Sequence, residues 1–81
     1  MKSLKALRDK IDQIDQKISQ LLEKRAKEVL EIKKIKKKHK LKVTDKTREK
    51  EILSRHNGAY QKEIFKKIIS SSKKLQRSTL E

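Results

Sequence analysis

The chain reads as an all-α protein of three helices, one long, one short and one of medium length, and three features of the sequence say so. Its 81 residues include no Pro and a single Gly, so almost nothing interrupts a helix. Lys, Glu, Leu, Ile and Gln, which helices accept readily, make up much of the remainder. Apolar residues recur at helical rather than alternating spacing over most of the length.

In the first segment Leu4, Leu7, Ile11, Ile14, Ile18 and Leu21 step by three and four in turn, and Val29, Ile32 and Ile35 resume the stripe after a gap. The spacing predicts a helix from about Ser3 to Lys38, roughly 50 Å long at ~1.5 Å per residue. A lone chain of this size cannot cover so long a seam, which therefore calls for a partner. The pattern lapses from His39 to Val43, and Thr44 or Asp45 is placed to cap a second helix running to about Arg55. His56, Asn57 and Gly58 predict a stop, with Gly or Asn closing the last turn in the left-handed conformation. From Tyr60 onward Ile64, Phe65, Ile68, Ile69, Ser72, Leu75 and Gln76 keep helical spacing, with fraying expected over Arg77 to Glu81. The whole is read as one domain, residues 1–81.

Composition narrows the chemistry. Twenty-five Lys and Arg against 11 Asp and Glu leave a net charge of +14, and with 44% charged and 32% hydrophobic residues the chain lies near the composition of disordered proteins. Only a strict apolar pattern allows such a chain to fold, and its small size leaves helix packing or oligomerisation as the source of stability. The absence of Cys excludes disulfides, Cys-ligated zinc and thiol nucleophiles. His39 and His56 are isolated, so no metal is expected, and no cofactor is required. The Ser residues have no plausible His partner, and no Gly-rich loop exists to cradle phosphate. No apolar run exceeds two residues, so neither a membrane span nor a signal-peptide core can be drawn, and a cytoplasmic protein is expected.

The informative anomalies are polar groups on otherwise apolar faces, because burying a charge is costly unless a partner or ligand compensates. Continuing the stepping of the first helix past Leu21 lands on Arg25 and Glu28 before Ile32 and Ile35. Arg25 either snorkels, pairs with Glu28 or faces a ligand. Lys36 lies three helical turns beyond Arg25 on the same side, ~16 Å along the axis, within a Lys-rich run that would ordinarily be solvated. In the second helix Asp45, Arg48, Glu49 and Ile52 share one stripe, a pattern that capping and intrahelical ion pairs would also produce. In the third, Ser72 and Gln76 replace apolar residues, although a Ser there can bond back to its own helix. Arg8 stands beside the seam of the first helix, ~25 Å from Arg25 and ~42 Å from Lys36, so only a second, antiparallel copy could bring it to their site. A homodimer would then bury the seam and complete two equivalent sites.

Taken in order, Arg8 in "LRDKID", Arg25 in "LLEKR", Lys36 in "IKKIK", Asp45, Arg48 and Glu49 in "VTDKTREKEIL", and Ser72 and Gln76 in "IFKKIISSSKKLQ" resemble the all-helical chorismate mutases over nearly the whole chain, from about Leu4 to Gln76. The resemblance implies an intertwined helical homodimer and the conversion of chorismate to prephenate on the route to phenylalanine and tyrosine. It also implies roles. Arg8 of the partner subunit and Arg25 match the carboxylate-binding arginines, and Lys36 and Gln76 match the donors to the ether oxygen of the breaking bond. Glu49 matches the acid that accepts from the substrate hydroxyl and orders the Lys, with Asp45 near that hydroxyl, Arg48 as a backbone contact or support, and Ser72 as a carboxylate contact. An intramolecular rearrangement needs no nucleophile, metal or cofactor, which suits a sequence that offers none. The link "SRHNGAYQKEIF" is shorter than in many relatives, so the register of Ser72 and Gln76 against the cage depends on it.

Two other classes of function compete. The charge of +14 and the run from Lys33 to Lys42 suit a basic helical nucleic-acid binder, but the chain has only two aromatics, Tyr60 and Phe65, and no recognisable reading motif, which disfavours a nucleic-acid partner. The other is a catalytically weak regulatory or structural helical dimer. Within the resembled family some members eliminate pyruvate from isochorismate instead, and the complete set of Arg8, Arg25, Lys36, Arg48 and Glu49 favours the mutase.

Overall fold

The computed structural model describes residues 3–78, and among them the chain is three helices: α1 (Leu4–Lys38), α2 (Lys46–Ser54) and α3 (Ala59–Arg77). The fraying foreseen for Arg77 to Glu81 falls partly outside this range; Arg77 is the last helical residue and Ser78 its C-cap, while Thr79 to Glu81 lie outside the described residues.

The first two helices begin where a side chain supplies a cap. Ser3 Oγ accepts from the Ala6 N–H at 3.1 Å, and Asp45 Oδ1 accepts from the Arg48 N–H at 3.0 Å. Each satisfies one of the amide donors that a helix start leaves without an internal partner. Of the two caps foreseen for α2, Asp45 is the one used. Gly58 caps α3 from extended backbone, φ −83°, with no side chain to contribute.

The helices stop where they were expected to, but the left-handed residue is not the one composition suggested. No Gly is left-handed, and Asn57 and Gly58 do not close α2, which ends at Ser54 with Arg55 as a right-handed C-cap. The left-handed residue is Lys40, φ 54°, just beyond α1. There the Leu41 N–H donates to the Lys36 carbonyl at 2.8 Å and the Lys40 N–H to the Lys37 carbonyl at 3.3 Å. These are the two bonds of a Schellman turn built without Gly. A Cβ in that conformation costs about 1–2 kcal/mol, part of which Gly's greater freedom in the unfolded chain offsets. Lys40→Gly should therefore stabilise the fold by about 1 kcal/mol and raise Tm by several degrees. A thermal melt showing a lower Tm would refute this account of the turn.

α3 packs against both α1 and α2, and those two do not pack against each other. Among the described residues only Val29 and Ile69 are buried, at 6% and 7% exposure. From Ser3 to Lys24 every residue of the chain is exposed, so the first half of α1 projects beyond the other helices. Its apolar stripe is bare: Leu4, Ile11, Ile14, Ile18 and Leu21 are each 47–63% exposed. The shape is correspondingly elongated, 57 × 29 × 14 Å, with a radius of gyration of 16.2 Å against the ~12 Å of a compact chain of this length. The accessible surface is 7478 Å², where a globule of 9.6 kDa would show about 5,100 Å².

No helix is long and apolar enough to cross a membrane among the described residues.

Candidate active site

Where α3 lies between α1 and α2, a cleft of about 410 Å³ opens above Val29 and Ile69. Ile69, Ser72, Lys73 and Gln76 stand at i, i+3, i+4 and i+7, so one face of α3 forms a wall of it. α1 contributes Arg25, Ile32 and Lys36, and α2 with its cap contributes Asp45, Arg48, Glu49 and Ile52. Seven of the eight residues singled out in the sequence thus line one cleft: Arg25, Lys36, Asp45, Arg48, Glu49, Ser72 and Gln76. Arg8 does not. It sits on the projecting half of α1, outside the cleft.

Each cation is held by something other than an ion pair on its own helix, with one exception. The Arg25 guanidinium donates through Nη1 to Ser72 Oγ, bridging α1 and α3. The Arg25–Glu28 pair that the spacing allowed is replaced by this contact. Ser72 also donates to the Ile68 carbonyl at 2.8 Å, so the back-bond and the bridge coexist in one hydroxyl. Lys36 Nζ donates to the Val43 carbonyl at 2.8 Å. The Schellman turn makes this possible, since it reverses the chain after α1 and brings Val43 back over the last turn of the helix. Arg48 is the exception, pairing along its own helix with Glu51 at 3.3 Å while both stay half exposed, an arrangement worth a few tenths of a kcal/mol.

Charge in the cleft is incompletely matched. Burial first, and the nearby positive charge of Arg48 second, hold the Arg25 guanidinium below its ordinary pKa. Among the lining residues Arg25, Lys36, Arg48 and Lys73 face Glu28, Asp45 and Glu49, which leaves one net positive charge. Gln76 Oε1 is buried and accepts no hydrogen bond among the described residues. A buried amide that the protein does not satisfy is costly unless a ligand supplies the partner. The cleft therefore suits a compact anion that also brings a hydrogen-bond donor, such as a hydroxyl. No group of three His, Cys, Asp or Glu is placed to hold a metal among the described residues.

Sequence reasoning missed Lys73. It lies on the same stripe as Ile69 and Gln76, but a Lys in so basic a chain carries no signal of its own. Its Nζ is 3.2 Å from Glu49 Oε2, and both side chains are only about one-quarter exposed. Glu49, expected to order Lys36, is thus paired with Lys73. The short link before α3 is pinned by His56, whose ring stacks on Phe65 at 3.8 Å between centroids. With that anchor Ser72 and Gln76 both reach the cleft.

Residues 7–77 match the family described as chorismate mutase type II. The chain belongs to that family. The protein is an isomerase that converts chorismate to prephenate by [3,3] rearrangement, a step of aromatic amino acid biosynthesis. It is also similar to the solved structure of a conserved hypothetical protein from Pyrococcus furiosus, with 44% identity, a TM-score of 0.85, and coverage of 95% of this chain and 99% of that one. No curated protein matches the chain. The basic composition is therefore that of a type II chorismate mutase, and the nucleic-acid reading is set aside.

Proposed function

We propose that the cleft between α1, α2 and α3 is the site of the rearrangement and that it is completed by Arg8 of the partner subunit in an intertwined homodimer. The observation that carries this reading is the convergence of seven chemically suited residues, far apart in sequence, on a single cleft with unmatched positive charge. Arg25, with Ser72 beside it, takes one carboxylate of chorismate, and the partner's Arg8 takes the other. Two bidentate grips select the folded conformer in which the reacting carbons approach. With Arg8 the cage carries two net positive charges, the complement of a dicarboxylate.

The chemical step breaks the C–O bond of the enolpyruvyl ether while the new C–C bond forms within the same molecule. Negative charge grows on the ether oxygen. Lys36 Nζ and the Gln76 amide N–H donate to it, and because these bonds strengthen as the charge develops, they lower the barrier more than they tighten substrate binding. Glu49 accepts from the substrate hydroxyl, with Asp45 near the same group and Arg48 supporting the wall. All of this takes place in the cytoplasm.

The bare seam of α1 supports the dimer. The surface exceeds that of a globule of the same mass by about 2,400 Å², within the roughly 1,000–2,500 Å² that one chain contributes to an obligate interface. An antiparallel two-fold copy laid along α1 would bury the stripe from Leu4 to Leu21 and carry its own Arg8 towards the cleft.

Complementation tests the shared site. Arg8→Ala and Arg25→Ala homodimers should each be nearly inactive towards chorismate, followed by the loss of its ultraviolet absorbance. After subunit exchange, each mixed dimer keeps one site with both arginines intact and regains part of the activity, up to one-quarter of wild type, because roughly half the dimers are mixed at equal amounts and each has one of two sites. Exchange without recovery would rule the shared site out.

A further inference from the structure

We propose that Lys73 is a positioning residue for the rearrangement, acting through Glu49; the proposal rests on the assignment of Glu49 to the substrate hydroxyl. Ser72 and Lys73 are neighbours on α3, and their side chains diverge by about 100° around the helix. Ser72 is gripped by Arg25 of α1, and Lys73 reaches Glu49 of α2 at 3.2 Å. Together these two contacts tie α3 to both of the helices it packs between, at the level of the cleft.

The Lys73–Glu49 contact differs from the other ion pairs described among residues 3–78. The pairs Lys5–Asp9, Lys34–Glu31 and Arg48–Glu51 lie within single helices and are more than half exposed, which makes them weak and dispensable. Lys73 and Glu49 come from different helices and are three-quarters covered, so solvent screens them less and the geometry is held from both sides. Glu49 Oε2 is buried and takes no hydrogen bond, although the Lys73 ammonium stands beside it. The ammonium is thus positioned to neutralise the carboxylate through Oε2, which leaves the second oxygen, Oε1, to accept from another donor.

That arrangement solves a problem the site otherwise has. A dicarboxylate must sit against a wall that carries an acid, and like charges at that range push the acid away from the hydroxyl it must hold through the reaction. With Lys73 in place, Glu49 presents an acceptor to the substrate hydroxyl without presenting an unbalanced negative charge to the substrate carboxylates. Lys36 remains committed to the Val43 carbonyl and free of Glu49, so its charge is left for the ether oxygen.

The test is a double-mutant cycle on the full chain, read as kcat at saturating chorismate, with Lys73→Met, Glu49→Gln and the pair, and with Lys73→Arg as rescue. Lys73→Met keeps the stem of the side chain and removes the charge. It should lower kcat about tenfold, the size expected of one coupled charge pair, with little change in Tm. Lys73→Arg should recover most of the loss. In the Glu49→Gln background, removing Lys73 should change kcat by less than about twofold, because the group it acts through is gone. Equal losses in both backgrounds would overturn the proposal by showing that Lys73 acts on the substrate independently. So would a wild-type kcat in Lys73→Met alongside an impaired Glu49→Gln, which leaves the site assignment standing. A Glu49→Gln variant with unimpaired kcat would instead remove the assignment on which the proposal rests.

Discussion

Lys36→Ala should lower the turnover of chorismate by at least roughly 10²–10³-fold while leaving the oligomeric state and the melting temperature near those of the parent. The magnitude follows from the loss of a preorganised donor to an oxygen that gains charge in the transition state, worth about 3–4 kcal/mol, with the loss of a full positive charge added. The structure indicates why stability should survive. Lys36 gives up a single bond from its ammonium to the Val43 carbonyl, a group near enough to the surface for water to replace the donor. The Schellman bonds that end α1 use the Lys36 backbone and are untouched by the substitution. Arg25→Ala should be similarly damaging, through KM as well as kcat, because a carboxylate grip acts on the ground state and the transition state alike. Near-normal rates in either variant, measured on folded protein, would refute the assigned site.

Ile14→Asp should disrupt the assembly altogether. Within one chain Ile14 is 55% exposed, and an exposed substitution on an isolated helix would change stability by no more than about 0.5 kcal/mol. In a dimer that buries the α1 seam, the same change places an unpaired carboxylate in an apolar interface, at a cost of several kcal/mol per copy. A core in which only Val29 and Ile69 are buried among the described residues cannot hold the chain folded against its conformational entropy, so loss of the interface should be loss of the fold. The expected result is a large fall in helical circular dichroism at micromolar protein, with a melting temperature that depends on concentration in the parent. A folded Ile14→Asp monomer with an unchanged melt would sink the dimer.

The existence and boundaries of the helices were legible in the sequence because they rest on local physics. The stripe of Leu4 to Leu21, a cap at Thr44 or Asp45, and the lack of Pro act over one or two turns, so α1 and α2 fall within a residue or two of the expected positions. The left-handed stop was misplaced for a reason of the same kind. Propensity favours Gly and Asn, yet Lys40 adopts φ 54° because the chain must reverse there to bring α2 back towards the cleft, and packing overrides the local preference. Gly58, without such a demand, has ordinary extended backbone.

The site was legible only in part. Arg25, Lys36, Glu49 and Gln76 stood out as polar groups at apolar positions, a signal that periodicity can deliver. Lys73 occupies the same face of α3, but nothing in a chain with a net charge of +14 marks one Lys among so many. The replacement of an Arg25–Glu28 pair by an Arg25–Ser72 bridge was equally invisible, since it depends on α3 lying against α1 and not on spacing within α1.

What this sequence determined by itself was which residues are helical, which face of each helix is apolar, and which polar side chains interrupt those faces. These are properties of neighbours three and four apart, and they hold wherever the helix is placed. Tertiary structure decided how the charges are shared: which acid meets which cation, that Lys36 is held by a carbonyl, and that Glu49 is left to Lys73. The pairings of Arg25 with Ser72 and of Glu49 with Lys73 fall between helices distant in sequence, where a shift of one turn, about 5.4 Å, exchanges one partner for another.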